Sequence, residues 1–351
     1  MGTSGQTRWE RVERMQRFRR LGEFIGGHMP LIAPVCVALG VFFPQVFERI
    51  SWTVPYLFAL ITFQGSLNTT LRQVARTFRH PRELFCILAL SIVVLPVLAR
   101  AFGGLIFSDP EIVCGIVIEY SIPVAVVSFM WVDIFHGNAS LGLAAVLVST
   151  VLAPVTIPIT LQLLMGATVQ VDTLSMMRDL LFMVALPAVA GVIVNEATRG
   201  WGHETLSPNL SPFCRVLLLV VIICNSTGLS TYVLSLDAIV LASALFILVF
   251  ASFGFVAGVV VARLLDAPLP DLFTIVFCVG LRNISSGSVI ATEFFPGAAI
   301  IPVMMGTLFQ QILAAVAGNA LRRFVGEEQD RQRGRLRAAR LLERYRRRSR
   351  G

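Results

Sequence analysis

The stretch Gly280-Leu281-Arg282-Asn283-Ile284-Ser285-Ser286-Gly287 decides how this chain must fold. It is polar and carries an arginine, yet it lies between the apolar runs LFTIVFCV and SVIATEFF. Glycine occupies both of its ends, and glycine permits a helix to unwind. A charged residue in such surroundings must face protein or a water-filled cavity, because hydrocarbon does not solvate it. The segment therefore predicts an interrupted helix inside a membrane.

The composition extends this interpretation to the whole chain. Of its 351 residues, 56% are hydrophobic and only 14% are charged, whereas a soluble domain carries about 25% charged residues. The apolar residues gather into runs that are long enough to span a bilayer as helices. These runs cover approximately residues 24–43, 54–74, 84–103, 110–135, 139–165, 176–195, 213–234, 237–264, 271–294 and 298–321. The sequence therefore predicts an all-α polytopic membrane protein with ten transmembrane helices.

The basic residues predict the orientation and the domain limits. Twenty-five of the 29 arginines fall on the side of the N-terminus if the loops alternate, and only Arg49, Arg100 and Arg178 fall on the other. By the positive-inside rule, both termini should be cytoplasmic. We expect a basic N-terminal segment at 1–23, a membrane domain at 24–325 and an arginine-rich tail at 326–351. The cell membrane, plasma or inner, is the predicted location.

The tails and the cysteines predict few partners. The net charge of +8 comes largely from the arginine-rich ends, which are typical of attraction to anionic lipid headgroups. Nothing beyond this charge indicates nucleic acid. The six cysteines lie in or beside apolar runs without metal-type spacing, so we expect no disulfide, no zinc site and no cofactor. The sequence does not specify an oligomeric state.

Two of the ten runs contain a polar break. Ten runs divide into two sets of five, so any internal duplication must be inverted across the membrane, as in many secondary transporters. The fourth run is interrupted at Glu119–Pro123 and the ninth at Gly280–Gly287. Proline removes a backbone donor and disturbs the preceding helical turn. Each break lies in the fourth run of its set of five. This correspondence predicts a binding site where the two unwound helices meet.

Glu119 and Arg282 are the charged residues near the middle of predicted spans. One interpretation is a structural ion pair that locks the two broken helices together. The other is that both residues line a substrate pathway, where Arg282 presents a positive charge to an anion. The two interpretations are compatible, because a pair in a cavity wall can exchange partners when a ligand arrives.

Polar residues near the two breaks complete the candidate substrate- or ion-binding site. Each serine alone is more typical of helix packing or of a bond to a main-chain carbonyl, so the cluster carries the prediction. The candidate residues are Glu119, Ser121, Pro123, Ser128, Asn225, Arg282, Asn283, Ser285 and Ser286.

Several of these motifs resemble the bile acid/sodium symporter family of secondary transporters. The matching residues are Gly137-Asn138 between the fourth and fifth spans, Ser149-Thr150 followed by Ala153-Pro154, and Gly280 with Arg282-Asn283. The resemblance implies two inverted five-helix repeats in which helices four and nine unwind and cross. It also implies a panel domain of helices one, two, six and seven, and a core domain of the other six.

The chain departs from that family at the positions that would bind sodium. These positions hold Ser128, Phe129, Gly142, Val146, Cys278 and Arg282. Sodium requires several hard oxygen ligands, whereas Phe129 and Val146 offer no side-chain oxygen and Arg282 would repel a cation. We hypothesise that Arg282 replaces the missing cation, so that coupling occurs by protons, through Glu119, or is absent.

The sequence thus predicts a secondary transporter of a small organic anion that works by alternating access. A proton-coupled carrier, a uniporter and a sensor with a transporter fold are the alternatives. An intramembrane enzyme is not expected, since no HExxH motif or pair of acids at one depth occurs. A channel is not expected either, because repeated filter segments and rings of like charge are missing. The sequence does not name the substrate.

Overall fold

The computed structural model describes residues 22, 24–25, 28–77, 81–230, 238–295 and 297–348, with only the main chain considered in 326–348. Within these ranges the regular structure is helical, apart from one isolated β-bridge. The helices are α1 (Met29–Phe42), α2 (Pro44–Ser66), α3 (Leu71–Thr77), α4 (Pro81–Ile106), α5 (Pro110–Ser121), α6 (Val127–Ile134), α7 (Ala139–Met165), α8 (Thr173–Ala197), α9 (Gly202–Leu229), α10 (Ala238–Leu264), α11 (Leu269–Gly280), α12 (Ile284–Phe294) and α13 (Ile300–Arg348).

Six of these helices are individually long and apolar enough to cross a membrane, counted over the described residues. They are α4, α7, α8, α9, α10 and the first part of α13. A seventh span is possible if α1 and α2 act together, although the chain bends by 91° between them. All-helical architecture with several apolar spans is therefore confirmed. The count of ten spans and the two inverted repeats stay predictions.

The outer surface of the helices is apolar. Large aliphatic side chains that no other part of the described protein covers include Leu105, Leu163, Leu174, Leu241 and Leu264, each exposed by more than 70%. In water this surface would be costly at about 25 cal/mol per Å² of apolar area. Lipid removes that cost, so the surface agrees with a protein embedded in a bilayer.

The fourth and ninth apolar runs are each divided into two short helices. Helix α5 ends at Ser121 and α6 begins at Val127, with Ile122 extended just before Pro123. Helix α11 ends at Gly280 and α12 begins at Ile284. The second break is shorter than the sequence suggested, whereas the first has the predicted length but lies three residues further along the chain. Glu119 lies in the last turn of α5 and Ser285 in the first turn of α12, because one proline or one short extended segment suffices to stop each helix.

The two breaks pair with each other. Val124 and Arg282 form an isolated antiparallel β-bridge. The amide of Ala125 donates to the carbonyl of Leu281 at 3.2 Å, and the amide of Asn283 donates to the carbonyl of Pro123 at 3.0 Å. Unwound backbone at membrane depth needs such partners, since lipid offers none. The bridge thus stabilises both breaks and fixes where they meet.

Two further side chains satisfy main-chain amides at this crossing. Ser149 on α7 accepts a hydrogen bond from the amide of Val124 at 3.2 Å. Gln310 on α13 accepts one from the amide of Arg282 at 2.9 Å through its Oε1 atom. Each break is therefore anchored to a long neighbouring helix as well as to the other break.

The predicted ends of several spans differ from the structure. Met29 begins the first helix with described limits, and Phe24 and Ile25 before it are also helical, whereas the second helix ends at Ser66 because the chain turns there before α3. Helix α13 continues as one helix to Arg348, so the predicted tail starts inside it. Residues 231–237, at the end of the predicted seventh span, lie outside the described residues. The orientation of the termini stays a prediction.

Candidate functional site

A cavity of about 210 Å³ lies where the two breaks meet. We call it the crossing cavity. Its walls come from α2, α9 and α13 and from both breaks with the first turns of α6 and α12. The residues that line it are Phe58, Ile61, Thr62, Gln64, Gly65, Ala125, Val126, Val127, Leu218, Ile222, Arg282, Asn283, Ile284, Ser285, Ser288, Met304, Thr307, Gln310 and Gln311.

The lining of the crossing cavity has a polar and an apolar part. Among the described residues that line it, Arg282 is the one charged side chain, and neither aspartate nor glutamate occurs. Helices α2 and α9 contribute mainly apolar surface, as from Phe58 and Leu218, whereas α12 and α13 contribute hydroxyl and amide groups. A cavity with one cation and no acid favours anions over cations.

Arg282 is almost completely buried, with 2% of its surface exposed. Its Nη2 atom donates to the carbonyl of Val279 at 3.3 Å, which turns the side chain back towards α11. The Nε and Nη1 atoms have no hydrogen-bond partner. A buried guanidinium with two unused donors is unfavourable unless an anion or water reaches it, so this residue is prepared to accept a further partner.

The expected ion pair between Glu119 and Arg282 is wrong for this structure. Glu119 is 3% exposed, and its Oε2 atom has no hydrogen-bond partner. It does not line the crossing cavity but packs against the main chain of Gly306 on α13, where a Cβ atom would collide with its carboxyl group. Because Arg282 bonds back to its own helix, the two side chains lie near each other without touching.

Two helix N-termini face the crossing cavity. Val127 begins α6 and Ile284 begins α12, and both residues line the cavity. Asn283 is the N-cap of α12, and its side chain accepts a hydrogen bond from the amide of Ser286 at 3.4 Å. The amide dipoles of a helix place partial positive charge at its N-terminus. Together with Arg282, these termini contribute positive potential to the cavity.

A family model described as the Sodium Bile acid symporter family matches residues 55–236, which is more than half of the chain. The chain belongs to this family. The matched segment includes the whole of the first break and its pairing partners on α7. Helices α11 and α12 lie beyond its end, so the position of Arg282 is known here from the structure alone.

Relatives of the chain cover most of its length. The Bacillus subtilis protein YbaS is 36% identical over 297 residues, which is 84% of this chain and 97% of YbaS. BASS1 of Arabidopsis thaliana, named a probable sodium/metabolite cotransporter of the chloroplast, is 27% identical and covers 89% of this chain and 78% of its own. YocS of Bacillus subtilis, named a sodium-dependent transporter, is 23% identical over 82% of this chain and 88% of its own.

Membership in the Sodium Bile acid symporter family establishes the general class of the protein. Its members are membrane transporters and not enzymes, so the chain is a multi-pass transporter whose cargo is a small organic metabolite. The resemblance seen in the sequence is therefore confirmed at the level of the family.

The nine candidate residues lie at different distances from the crossing cavity. Three of them, Arg282, Asn283 and Ser285, line it. Asn225 does not line the cavity itself. Its side-chain amide donates to the hydroxyl of Ser288 at 2.6 Å, and Ser288 lines the cavity. Pro123 contributes only the carbonyl that accepts from Asn283.

The other candidate serines do not line the crossing cavity. The hydroxyl of Ser121 donates to the carbonyl of Val117, and that of Ser128 to the carbonyl of Ala125, both at 2.6 Å. Such bonds to a preceding turn are the ordinary role of serine in a membrane helix. Ser286 is 1% exposed and its hydroxyl has no partner. These residues support the breaks rather than form the cavity wall.

Sequence reasoning missed a polar stripe on α13. Thr307, Gln310 and Gln311 all line the crossing cavity. Gln311 also accepts a hydrogen bond from the indole of Trp131 at 3.0 Å, which ties α13 to α6. Their spacing of i, i+3 and i+4 places them on one helix face. That spacing, in an otherwise apolar run, was the signal that could have found them.

A smaller cavity of about 50 Å³ adjoins the crossing cavity and shares Thr62, Gly65, Val126 and Asn283 with it. Phe129 and Val146, two positions that correspond to sodium ligands in the family, line it with hydrocarbon. A third, Cys278, lies 3.9 Å from the hydroxyl of Ser128. Among the described residues, no cluster of histidine, cysteine and acidic side chains could hold a metal ion. The other side chains in the lining include the hydroxyl and amide groups of Thr62, Ser66, Asn68, Thr69, Thr150 and Asn283.

Proposed function

We propose that this protein is a secondary transporter of a small organic anion and that the anion binds in the crossing cavity. The observation that carries the proposal is the position of Arg282. It is the one charged residue in the described lining, and it has two donors without a partner. An anion in the cavity would supply the missing acceptor.

The electrostatic argument supports an anion for a second reason. The positive ends of α6 and α12 add to the charge of Arg282, and in many transporters interrupted helices point their N-termini at anionic substrate groups in the same way. Asn283, Ser285 and Gln310 provide hydrogen-bonding groups around this charge. Contact with Nε or Nη1 requires the guanidinium to turn from α11 towards the cavity, a rotation that the new charged hydrogen bonds would drive.

The size and the lining of the cavity limit the substrate. Drug-sized ligands occupy pockets of roughly 300–1,000 Å³, and this cavity is smaller, at about 210 Å³. Phe58, Ile61 and Leu218 offer apolar surface opposite the polar part. The substrate that fits is a monovalent carboxylate or sulfonate with a compact apolar body, smaller than a steroid.

Alternating access is supported by how the helices pack. Helix α9 packs against α1 and α2, and α8 packs against α2, whereas α10 packs along α11 and α13, and α5 against α4, α7 and α13. The crossing cavity lies between these two groups. The first group would act as the panel domain and the second as the core domain of the inverted repeats. Rocking of the panel against the core would open the cavity to each side of the membrane in turn. The arginine distribution supports a plasma-membrane location with cytoplasmic termini.

Transport should not depend on sodium. Of the residues at the family's sodium positions, Ser128 alone offers a side-chain oxygen, whereas a hard cation requires several, and Arg282 repels a cation nearby. Relatives named sodium cotransporters would then differ from this chain in coupling but not in architecture. This proposal concerns the ion only and leaves the anion site unchanged.

Purified protein in proteoliposomes tests both proposals. Uptake of radiolabelled benzoate, 3-methylbutanoate, benzenesulfonate and taurocholate is measured in sodium and again with choline in its place. We expect uptake of at least one small anion, little taurocholate, and a change of less than about twofold without sodium. No uptake of any anion would refute the anion carrier, and strict dependence on sodium would refute the second proposal alone. Anion-induced thermal stabilisation without flux would indicate a sensor.

A further inference from the structure

Glu119 and Arg282 are both buried, and the anion site uses only the arginine. The carboxyl group has an unpartnered oxygen, and the guanidinium has two unpartnered nitrogen atoms. The two side chains do not bond to each other, but α13 holds both residues within about one helical turn: Glu119 packs against Gly306, and the main-chain amide of Arg282 bonds to Gln310. The structure thus holds an acceptor and a matching donor, apart from each other, beside the crossing cavity.

The surroundings of Glu119 contain little that could stabilise a negative charge. Among the described residues, the charged and titratable groups near it are Arg282, from the break between α11 and α12, and Tyr120, its own neighbour. Helices α13 and α12 present Gly306 and Ile284 instead. An ionised carboxylate with an unpartnered oxygen in such a place costs several kcal/mol, whereas the protonated form costs far less. The arrangement seen here therefore suits a protonated Glu119.

We propose that Glu119 is the proton-binding residue of this carrier and that its carboxylate competes with the transported anion for the guanidinium of Arg282. The inference rests on the proposed function. While Glu119 holds a proton, Arg282 lacks a counter-ion and binds the anion in the crossing cavity. When the anion leaves, Glu119 releases its proton to the open side, and its carboxylate pairs with Arg282.

This exchange fixes the stoichiometry. One proton and one monovalent anion bind together and leave together, so the loaded and the empty carrier carry the same charge. The empty carrier holds the ion pair between Glu119 and Arg282, which is missing in the structure described here. Transport is therefore electroneutral proton–anion symport. It accelerates when the side that supplies the anion becomes more acidic.

The test uses benzenesulfonate and benzoate in proteoliposomes whose membrane potential is held at zero with potassium and valinomycin. Exchange of labelled for unlabelled anion at equal pH measures the carrier itself. Net uptake driven by a gradient of one pH unit, acid outside, measures coupling. Benzenesulfonate is the more informative probe, because it does not cross lipid as a free acid. Entrapped pyranine records proton entry.

We expect about tenfold accumulation of benzenesulfonate per pH unit and one proton per anion. Glu119→Gln should lose the accumulation and the proton entry, yet still exchange anion, because glutamine resembles the protonated acid. Glu293→Gln, an exposed acid on α12, is the matched control and should keep both activities.

Each outcome is decisive. If neither probe exchanges in the wild type, the proposed function fails and the inference fails with it. Exchange without proton entry overturns the inference and leaves the anion carrier standing. A folded Glu119→Gln protein that keeps pH-driven accumulation, or that loses exchange, would likewise overturn the inference and leave the proposed anion carrier unaffected. If that variant does not fold, the wild-type ratio of protons to anions still decides.

Discussion

Both breaks join two short helices through an unwound segment, but the two segments differ in length and in chemistry. The α5–α6 break presents Ala125, Val126 and Val127 to the crossing cavity, and its contribution is main chain and hydrocarbon. The α11–α12 break presents Arg282 and Asn283, which bring charge and hydrogen-bonding groups. The first stops at a proline, and the second is held by an N-cap and by Gln310.

The first break therefore has a structural role, whereas the second also supplies the groups that would recognise the anion. Both breaks are needed to form the antiparallel bridge, but only one supplies the groups that would bind an anion. Substitutions in the second break should therefore change transport, whereas equivalent substitutions in the first should change little. Four predictions, in order of decreasing effect, examine this division.

Arg282→Gln should have the largest effect. It removes the positive charge from the cavity and keeps a shorter polar side chain with an amide donor. Loss of one partner of a buried charged hydrogen bond costs about 2–5 kcal/mol, so we expect anion uptake to fall on the order of 100-fold. Arg178→Gln removes a charge that is 68% exposed and should leave uptake unchanged. Equal activity of the two variants would contradict the anion site.

Gly280→Ala should destabilise the second break. A Cβ atom there would collide with the ring of Phe255 on α10, which is buried. Such overpacking costs about 1–3 kcal/mol, measured as a lower Tm in detergent. The matched control is Gly254→Ala at the same interface, where the nearest atom to the new methyl group would be 3.7 Å away. Restoration of stability by adding Phe255→Leu would show that the ring causes the loss.

Asn283→Asp should separate capping from recognition. Aspartate caps a helix as well as asparagine does, so Tm should stay the same. The added negative charge opposes the positive potential of the cavity, and we expect anion uptake to fall about tenfold, equivalent to 1.4 kcal/mol. Asn283→Ala should instead lower the Tm, because it removes about 0.5–2 kcal/mol of capping energy. A Tm loss with aspartate would mean that the cap is not formed as described.

Pro123→Ala should have the smallest effect. The carbonyl of residue 123 would still accept from Asn283, so the bridge would remain. Removing a proline from a compatible position costs about 0.4–1 kcal/mol, and uptake should stay within about threefold of the wild type. A loss comparable to that of Arg282→Gln would show that the first break takes part in recognition after all.

The sequence was sufficient for the helical class, the family and the place of both breaks. Proline, paired glycines and isolated charges are local signals, and they identified residues near 123 and 282 correctly. The 91° bend before Pro44 was not foreseen, because it falls in the connection between the first two predicted spans, where hydropathy indicates no angle. The span boundaries near Ser66 and Arg348 were also missed, since hydropathy does not mark where a helix turns or continues.

The site was harder to predict because it depends on which way side chains turn. Ser121 and Ser128 bond to their own helix, and nothing in their spacing distinguishes this from lining a cavity. The ion pair of Glu119 with Arg282 failed for a similar reason, since the guanidinium bonds to Val279. Gln310 was missed because amides in a long apolar helix carry no charge to draw attention to them.

The bridge between Val124 and Arg282 consists of main-chain bonds only. Such bonds persist when the side chain at either position is replaced, because every residue except proline offers the same amide and carbonyl. A descendant of this chain could therefore exchange arginine for another residue and acquire a different cargo without dismantling the crossing. The architecture tolerates drift in selectivity, and diversification of cargo across related carriers needs no new fold.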